Sequence, residues 1–539
     1  MFAAAARRVA GTAATNAGAV HQAASVRRLS AMQVVASRAR RVFRLTATAG
    51  ALWVAVFVGD TVLNDDMDVV FYDKFRRRVS AEERKTMPRV VILGSGWGAL
   101  SMLRKLHTDK MQVTVVSPRN YFLMTPLLAS TTVGTVSQRS IVEPIRGFLA
   151  RAGKHEASFI EAEAVAIDFK QNTIRCQDNS AVRGEVYEFD LPYDHLVIAV
   201  GCESATFGIP GVAENAIYMK EIDHSYKIRD RILDSLETAC IPGQPEAEIE
   251  RLLHFVVVGG GPSGVEFAAE LHDFIGSDVV AHYPELLGRV KVTLIEATKH
   301  VLSSFSSKLI EEAEQALTSE KVNLMLNSAV KKVEDKVLVV QNTDGTRSNV
   351  PYGCLVWVAG NATRKLIKDA SAAIGPEVQR DRRGLLVDEH LRVKGTHNVW
   401  ALGDCAIAGF APTAQVAYQE GVYLGRLLNA LDLRAADSAK GKEGFKYVHK
   451  GAFAYVGDRK AIAQLPSAGD WSGQGTYFLW RTVYFSKLLS YKNRFLVLTD
   501  VRFFFASLCL VSMPLTCNMC ATRIETAAVG QDLLFRAGH

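Results

Sequence analysis

No aspartate, glutamate or lysine occurs in the first 59 residues, although these hold eight arginines (Arg7, Arg8, Arg27, Arg28, Arg38, Arg40, Arg41 and Arg44). The whole chain carries a formal net charge of +7, so removing the +8 of this leader leaves about −1 (7 − 8) for the remainder. The basic balance therefore belongs to one end, and a nucleic-acid surface spread over the working protein is excluded. Cysteine is sparse: there are eight, none before Cys176, and their scatter gives no disulfide framework. Cys517 and Cys520 form one CxxC without a second pair, so no metal site is assigned to them. A run of the roughly twenty apolar residues that span a bilayer is also missing. The stretches 45–59 (LTATAGALWVAVFVG) and 503–513 both fall short. No string of acids accompanies them, and a proton-pumping channel is not expected. With 539 residues, 48% of them hydrophobic, there is material for two or three domains with sizeable cores.

An Arg-rich, Ala- and Ser-rich segment without acids is what a mitochondrial presequence looks like, since a positively charged amphipathic helix suits electrophoretic import. The expected division places the presequence and short apolar segment at 1–59 and a linker at 60–87. The apolar stretch 45–59 fits a sorting signal, an interfacial anchor or part of the presequence.

Beyond the linker the chain reads as a strand (RVVILG), a glycine turn (GSGWGA), a helical pattern to about His107, and a second strand (MQVTVVS). This is a βαβ unit built for a dinucleotide. Gly94 permits the tight turn, Gly96 lets the backbone approach the pyrophosphate, and Gly98 with Ala99 keeps helix and strand close. The acid that usually ends the second strand is absent: Ser117 stands there, followed by Pro118, Arg119 and Asn120. Other groups must hold that ribose. A second cradle occurs in FVVVGGGPSGVEFAAEL, with Gly259, Gly261 and Gly264, and its second strand VKVTLIE ends in Glu296. A carboxylate at that position binds both ribose hydroxyls and repels a 2′-phosphate, which favours NADH over NADPH. Lys299 and His300 stand close by in sequence.

A third glycine motif, VWALGDC, carries Gly403 and Asp404 and fits the close of an FAD domain, its carboxylate accepting from a ribityl hydroxyl. YDHLVIAVGCES with Gly201, and CLVWVAGNATR with Gly360, read as strand-then-glycine crossings between two domains. The order implies nesting: an FAD-binding domain at 88–215 and 363–440, interrupted by an NADH-binding domain at 216–362, then a C-terminal region at 441–539. The fold class is α/β with two Rossmann-like dinucleotide-binding domains.

The segments after Asp404 bear on the electron acceptor. A redox cysteine pair just after the first cradle, which disulfide reduction requires, does not exist in this chain. In APTAQVAYQEG (411–421), Pro412 fits a helix start. Gln415 and Gln419 then share one helix face, and two uncharged amides there suit a quinone carbonyl; the alternative is a pair of solvent-facing glutamines. Residues 473–502 interleave aromatics and leucines (Tyr477, Phe478, Trp480, Tyr484, Phe485, Leu488) with Arg481, Lys487, Lys492, Arg494 and Arg502 and the single acid Asp500. That pattern is read as an amphipathic helix on an anionic lipid surface.

On GSGWGA, SPRNYFLMTPLLASTTVGTV, GGGPSGVE, LIEA, NVWALGDCA, AQVAYQEG, FKYVHKGAFAYVG and WRTVYFSKLLSYKNRFLVLTD, over residues 88–502, the chain resembles the type II NADH dehydrogenases, the single-subunit, non-pumping NADH:ubiquinone oxidoreductases. The resemblance implies a glutathione-reductase-like arrangement, non-covalent FAD, NADH/NAD, hydride transfer to the flavin and reduction of ubiquinone. It also implies a homodimer peripheral to the mitochondrial inner membrane. By position it implies Asn120, Thr125 and Pro126 beside FAD, with Ser117, Arg119 and Ala414 among the cofactor-binding residues. It implies Glu266 beside the nicotinamide–flavin stack, and Gln415 and Gln419 at the quinone pocket. Tyr418 stands where other members vary. A leader that is simply cleaved gives a matrix position, the side expected here; a segment 45–59 that halts translocation gives the intermembrane-space face. Two other readings compete: a flavin reductase serving a soluble iron–sulfur protein, and a non-enzymatic NADH-sensing flavoprotein.

Overall fold

The computed structural model describes residues 79–154, 156–434 and 441–500. The expectations for the presequence, the apolar stretch 45–59, most of the 60–87 linker, the 503–539 tail and its CxxC lie outside the described residues. All described residues belong to one compact unit, Asp68–Arg502.

The elements that position the site are, in the first half, β1 (Arg89–Leu93), α1 (Trp97–Lys105), β2 (Gln112–Ser117), α2 (Leu128–Thr132), β3 (Ser158–Glu161) and β4 (His195–Ile198). Then come β5 (Ile217–Tyr218), β6 (His254–Val258), α3 (Pro262–Phe274), β7 (Lys291–Ile295), α4 (Ser307–Ser319), β8 (Val322–Met325) and β9 (Cys354–Trp357). The chain continues with β10 (Val399–Ala401), α5 (Ala414–Ala430), β11 (Ala452–Gly457), β12 (Lys460–Leu465), β13 (Gly469–Gly473), α6 (Gln474–Ser486) and α7 (Tyr491–Asp500).

Strands rich in Val, Ile and Leu over their whole length fit sheets covered on both faces, and these are parallel. In β1, Val90 to Leu93 are at most 2% exposed. The first five-stranded sheet runs β10-β4-β1-β2-β3 and the second β5-β9-β6-β7-β8, every pair parallel. The same plan recurs in each. A central strand (β1, β6) leads through a glycine turn into a helix and on to the neighbouring strand. After the next strand comes a three-stranded antiparallel meander: Glu163–Asp168, Thr173–Gln177 and Glu188–Pro192 in the first sheet, Ser328–Val333, Val337–Asn342 and Arg347–Pro351 in the second. The chain then returns on the other side of the central strand, as β4 or β9. This reversal makes a topological switch point beside each glycine turn, where open α/β sheets bind dinucleotides.

The second sheet is drawn wholly from residues 217–357, while β10 returns to pair with β4. The two crossings are joined to each other: Glu203 pairs with Ala362 and Ser204 with Asn361 in a short antiparallel ladder. Helix α5 closes against α1 across glycines. A Cβ on Gly98 would stand 1.9 Å from Leu402 Cδ1, and one on Gly421 would stand 2.2 Å from the Gly98 carbonyl oxygen.

Two sequence expectations change here. Pro412 lies before the helix, and Thr413 is its N-cap, the hydroxyl accepting from the Val416 N–H (3.3 Å). Within the 473–502 region the described residues form two helices, and part of their apolar face is core: Tyr477, Trp480 and Leu488 are buried, whereas Phe478 and Phe495 are exposed. Asp500 turns back onto the first domain, accepting from the Ser140 hydroxyl (2.6 Å) and the Ser137 N–H (3.1 Å). Among the described residues no helix is long and apolar enough to cross a membrane.

Candidate active site

The first cradle has the geometry its glycines suggest. Gly94 is left-handed (φ 107°), and a Cβ there would stand 2.3 Å from the Ala199 carbonyl oxygen. Gly96 faces open space, and Ala99 is fully buried where α1 meets the sheet. A cavity of about 350 Å³ adjoins this turn, lined by Gly94, Ser95, Ser117, Pro118, Arg119, Glu163, Glu203 and Arg364 among others. Ser117, where a ribose acid would stand, takes part in a local network instead. Its Oγ lies 3.0 Å from Ser95 Oγ and accepts from the Arg119 N–H (3.1 Å). Carboxylates reach the cavity from another direction, through Glu163 and Glu203. Arg119 is held by Glu221 at 2.5 Å. The backbone approach at Gly96 and this polar recess fit an adenine dinucleotide.

The second cradle repeats the turn: Gly259 is left-handed (φ 118°) and Gly261 faces open space. A Cβ on Gly264 would stand 1.9 Å from the Gly259 carbonyl oxygen. Glu296 is part of the cradle itself. One carboxylate oxygen accepts from the Gly260 N–H (2.6 Å) and the other from the Thr298 N–H (2.7 Å). His300 is engaged by Glu314 at 3.1 Å.

The carboxyl ends of both sheets meet at a second cavity of about 270 Å³. The first domain contributes Thr125, Leu128, Asp404 and Pro412, and the second Lys220, Ser263, Glu266, Trp357, Gly360 and Asn361. Trp97 Nε1 donates to Thr125 Oγ1 (3.0 Å). Asp404 Oδ2 accepts from the Cys202 thiol (3.0 Å), and Lys220 Nζ donates to that sulfur (2.9 Å) and to Asn361 Oδ1 (2.9 Å). Burial, and after it Asp404, pushes the Cys202 thiol up to about 11, so it stays protonated at neutral pH. Among the described residues no cysteine lines either cavity.

Glu266 is the buried acid of this cavity. Burial pushes its carboxyl up to about 8. The Tyr455 backbone N–H donates to it (3.3 Å) and opposes the rise only in part. The Trp480 indole N–H has no well-formed partner among the described residues and exerts a weaker pull on the same carboxyl. One turn along α3, Glu270 accepts from the hydroxyls of Ser130 (2.6 Å) and Thr135 (2.9 Å), and burial raises its pKa too. Beneath the glycine–aspartate turn, Glu420 accepts from the Gly403 N–H (2.6 Å), and burial pushes it up to about 7.

Gln415 and Gln419 share a face of α5, as their spacing implies, but they face the strap 445–451. Gln415 Nε2 donates to the Gly451 carbonyl (3.1 Å), while its Oε1 accepts from the Tyr447 hydroxyl (2.9 Å) and the Lys450 N–H (2.7 Å). Gln419 exchanges two hydrogen bonds with the Val448 backbone, at 2.8 and 3.0 Å. Both ends of each amide are engaged, and neither residue is among those lining the two cavities described above. Asn120, Pro126, Gly201 and Ala414 are not among the residues lining those two cavities either; Asn120 donates to Glu161 Oε2 (3.0 Å). Under the strap, Tyr455 packs against Tyr477 and stacks on Trp480, with ring centroids 5.4 and 5.6 Å away.

Sequence reasoning passed over Lys220, Glu270 and Glu420, and took Trp480 only as part of a lipid-facing helix. Glu270 left a signal: it stands four residues after Glu266 in the otherwise apolar helix VEFAAEL. Lys220 left none, since nothing in its neighbourhood marks it as facing a cavity.

Residues 88–421 match the family described as pyridine nucleotide-disulphide oxidoreductase, and residues 449–506 match the NDH2 C-terminal domain. The chain is 42% identical over 458 residues to the external alternative NADH-ubiquinone oxidoreductase, mitochondrial, of Yarrowia lipolytica, covering 76% of this chain and 78% of that one. It is 42% identical over 438 residues to the external NADH-ubiquinone oxidoreductase 2, mitochondrial, of Saccharomyces cerevisiae, covering 76% and 79%. The solved structure of NDH2 from Plasmodium falciparum in complex with NADH superposes with a TM-score of 0.71 at 28% identity, over 77% of this chain and 97% of that one. Two glycine cradles whose domains both line one cavity, followed by the NDH2 C-terminal domain, place this chain in the type II NADH dehydrogenase family.

Proposed function

We propose that this protein transfers electrons from NADH, through non-covalently bound FAD, to ubiquinone without pumping protons, as a peripheral enzyme of the mitochondrial inner membrane. The observation that carries the reading is the 270 Å³ cavity, which residues from both dinucleotide-binding domains line together. FAD, when bound, supplies the two-electron chemistry that links a nicotinamide to a quinone. The chain's own contribution is placement and electrostatics. Gly94 and Gly96 would let the backbone reach one pyrophosphate, Gly98 and Ala99 keep the helix packed beneath it, and Ser117, Arg119, Thr125, Gly201, Gly403, Asp404 and Ala414 would lie along the rest of that cofactor. Gly259, Gly261 and Gly264 hold the other, Glu296 selects the unphosphorylated ribose, and Gly360, left-handed where a Cβ would stand 2.3 Å from the Phe207 ring, lets the second crossing pass the first along the cavity wall. Glu266, protonated at neutral pH, holds a proton at the cavity wall for a quinone that must take up two.

Gln415 and Gln419 act on the quinone side by holding the strap 445–451, the boundary between α5 and the C-terminal domain. Quinone approaches from that side, and the exposed Phe478 and Phe495 mark the face turned to lipid. The relatives named external favour the outer face of the inner membrane over the matrix side. A homodimer is proposed on the resemblance alone; sedimentation velocity of the detergent-free protein tests it.

Stopped-flow spectroscopy tests the whole reading. NADH should bleach the flavin at least about tenfold faster than NADPH, because Glu296 faces the 2′-phosphate, and a short-chain ubiquinone should restore the oxidised spectrum. Gln415→Ala with Gln419→Ala should slow reoxidation and leave bleaching by NADH intact. Flavin that NADH reduces but no quinone reoxidises would defeat the proposal. Protease treatment of intact mitochondria and mitoplasts tests the side: an outer-face protein is cut once the outer membrane is opened.

A further inference from the structure

Away from the cavity, three donors from two helices gather beside a hairpin. His272 and Asp273 end helix α3, immediately before it passes into a π-helical turn (Ile275–Val279). Glu320 is the C-cap of α4. One ligand atom from each lies within 4.8 Å of the others. His272 Nδ1 and Glu320 Oε2 are 3.4 Å apart, which matches the edge of a tetrahedron with metal–ligand bonds of about 2.1 Å.

The Glu320 side chain is only 8% exposed. Neither of its carboxylate oxygens has a hydrogen-bond partner among the described residues, and nor does His272 Nδ1. A buried carboxylate without donors is costly unless a cation meets it. The neighbouring Lys460 feels the Glu320 charge, but its Nζ pairs with Asp458 at 2.9 Å and makes no hydrogen bond to the Glu320 oxygens. Asp273 accepts from the Tyr455 hydroxyl and, at 3.2 Å, from the Asp458 N–H, and each oxygen keeps a further lone pair. The β11–β12 turn passes over Glu320 with a glycine at the point of contact. A Cβ on Gly457 would stand 1.9 Å from Glu320 Oε2, so the carboxylate has room only because that residue has no side chain.

We propose that His272, Asp273 and Glu320 bind one divalent first-row cation, a site separate from the NADH–quinone cavity. One imidazole and two carboxylates suit Zn²⁺, Mn²⁺ or Fe²⁺, whereas Ca²⁺ takes six to eight oxygens. The ion ties α3 and α4 of the nicotinamide domain beneath the C-terminal hairpin.

The test uses the full-length, FAD-loaded protein, stripped with a chelator and titrated with MnCl₂ while free Mn²⁺ is followed by electron paramagnetic resonance. Mn²⁺ is the chosen probe because thiolates such as those of Cys517 and Cys520 do not suit it. The unaltered chain should bind one Mn²⁺ saturably. His272→Gln and Glu320→Gln should each weaken that binding at least about tenfold, with flavin absorbance and bleaching by NADH retained. If Glu320→Gln does not accumulate with flavin, His272→Gln, at a partly exposed position, decides alone. Absence of saturable Mn²⁺ binding, or equal binding by His272→Gln and the unaltered chain, overturns the site and leaves an ordinary histidine–glutamate ion pair.

Discussion

Glu266 is a carboxyl whose protonation state is set by where the fold puts it. The charged groups near it are few: Glu270 on the same helix, which disfavours a second charge, and Lys220 and Asp404 across the cavity. Tyr484 faces it as a buried neutral phenol. With its pKa raised to about 8, Glu266 is protonated below that pH and ionised above it. Quinone reduction should therefore fall as pH rises through 8, while flavin bleaching by NADH changes little. Glu266→Gln should remove that limb and lower quinone turnover about 100-fold or more, the range for a positioned proton donor. Steady-state kcat measured from pH 6 to 9.5 decides; a limb that survives in the variant places the proton donor elsewhere.

Glu420 makes a matching statement about stability. Its folded pKa, about 7, lies above the unfolded value of about 4.3. The folded state thus binds the extra proton between those values, and stability falls as pH rises through that window. Glu420→Gln keeps an acceptor for the Gly403 N–H and removes the charge. The thermal midpoint of the variant should fall less than that of the unaltered chain between pH 5 and 8. A difference worth about 2–3 kcal/mol is the upper bound that the shift allows. Equal pH slopes would mean that Glu420 is not the group responsible.

At the scale of elements, the crossing of α1 and α5 depends on glycines that bring two backbones together. Gly421→Ala puts a methyl 2.2 Å from the Gly98 carbonyl oxygen, and backbone yields less readily than a side chain. We expect a loss of about 1–3 kcal/mol and weaker FAD retention, seen as a lower midpoint in urea and flavin lost on gel filtration. The cradles were legible in the sequence because their glycines answer a steric demand that no other residue meets, and Glu296 because strand and ligand fix its place. The switch-point pairing of the crossings, Glu203 with Ala362 and Ser204 with Asn361, was not legible: two residues carry no period. Gln415 and Gln419 were legible as one face of one helix, but spacing does not reveal what that face meets. In the 473–502 region the interleaving of aromatics and cations reads the same whether the apolar side meets lipid or β11. Only the structure separates Tyr477 and Trp480, turned inward, from Phe478 and Phe495, turned outward.

At the scale of the whole molecule, that separation gives a test of membrane attachment. Phe478 and Phe495 are 46% and 65% exposed, and large apolar side chains at that exposure add partition energy at a lipid surface without supporting the core. Phe478→Ser with Phe495→Ser should reduce cosedimentation with vesicles containing anionic lipid by about tenfold or more, with flavin bleaching by NADH unchanged. Tyr477→Ser or Trp480→Ser should instead destabilise the fold. Unaltered vesicle binding by the Phe478/Phe495 variant would move the membrane face elsewhere on the molecule.

The return of β10 to the first sheet also governs how the chain can be assembled. As the polypeptide emerges from a ribosome or a translocation channel, β1, β2, β3 and β4 appear early, but β10 and the α5 that seals α1 arrive only after the whole second sheet has been delivered. The first cradle thus waits, open along one edge, while its interruption folds. The short ladder between the two crossings shortens that wait in entropic terms: once the inserted sheet has formed, its ends are tied, and β10 searches for β4 from nearby rather than across a loose loop of some two hundred residues. The nicotinamide half therefore acts as the folding partner of the flavin half before it acts as its electron donor's seat.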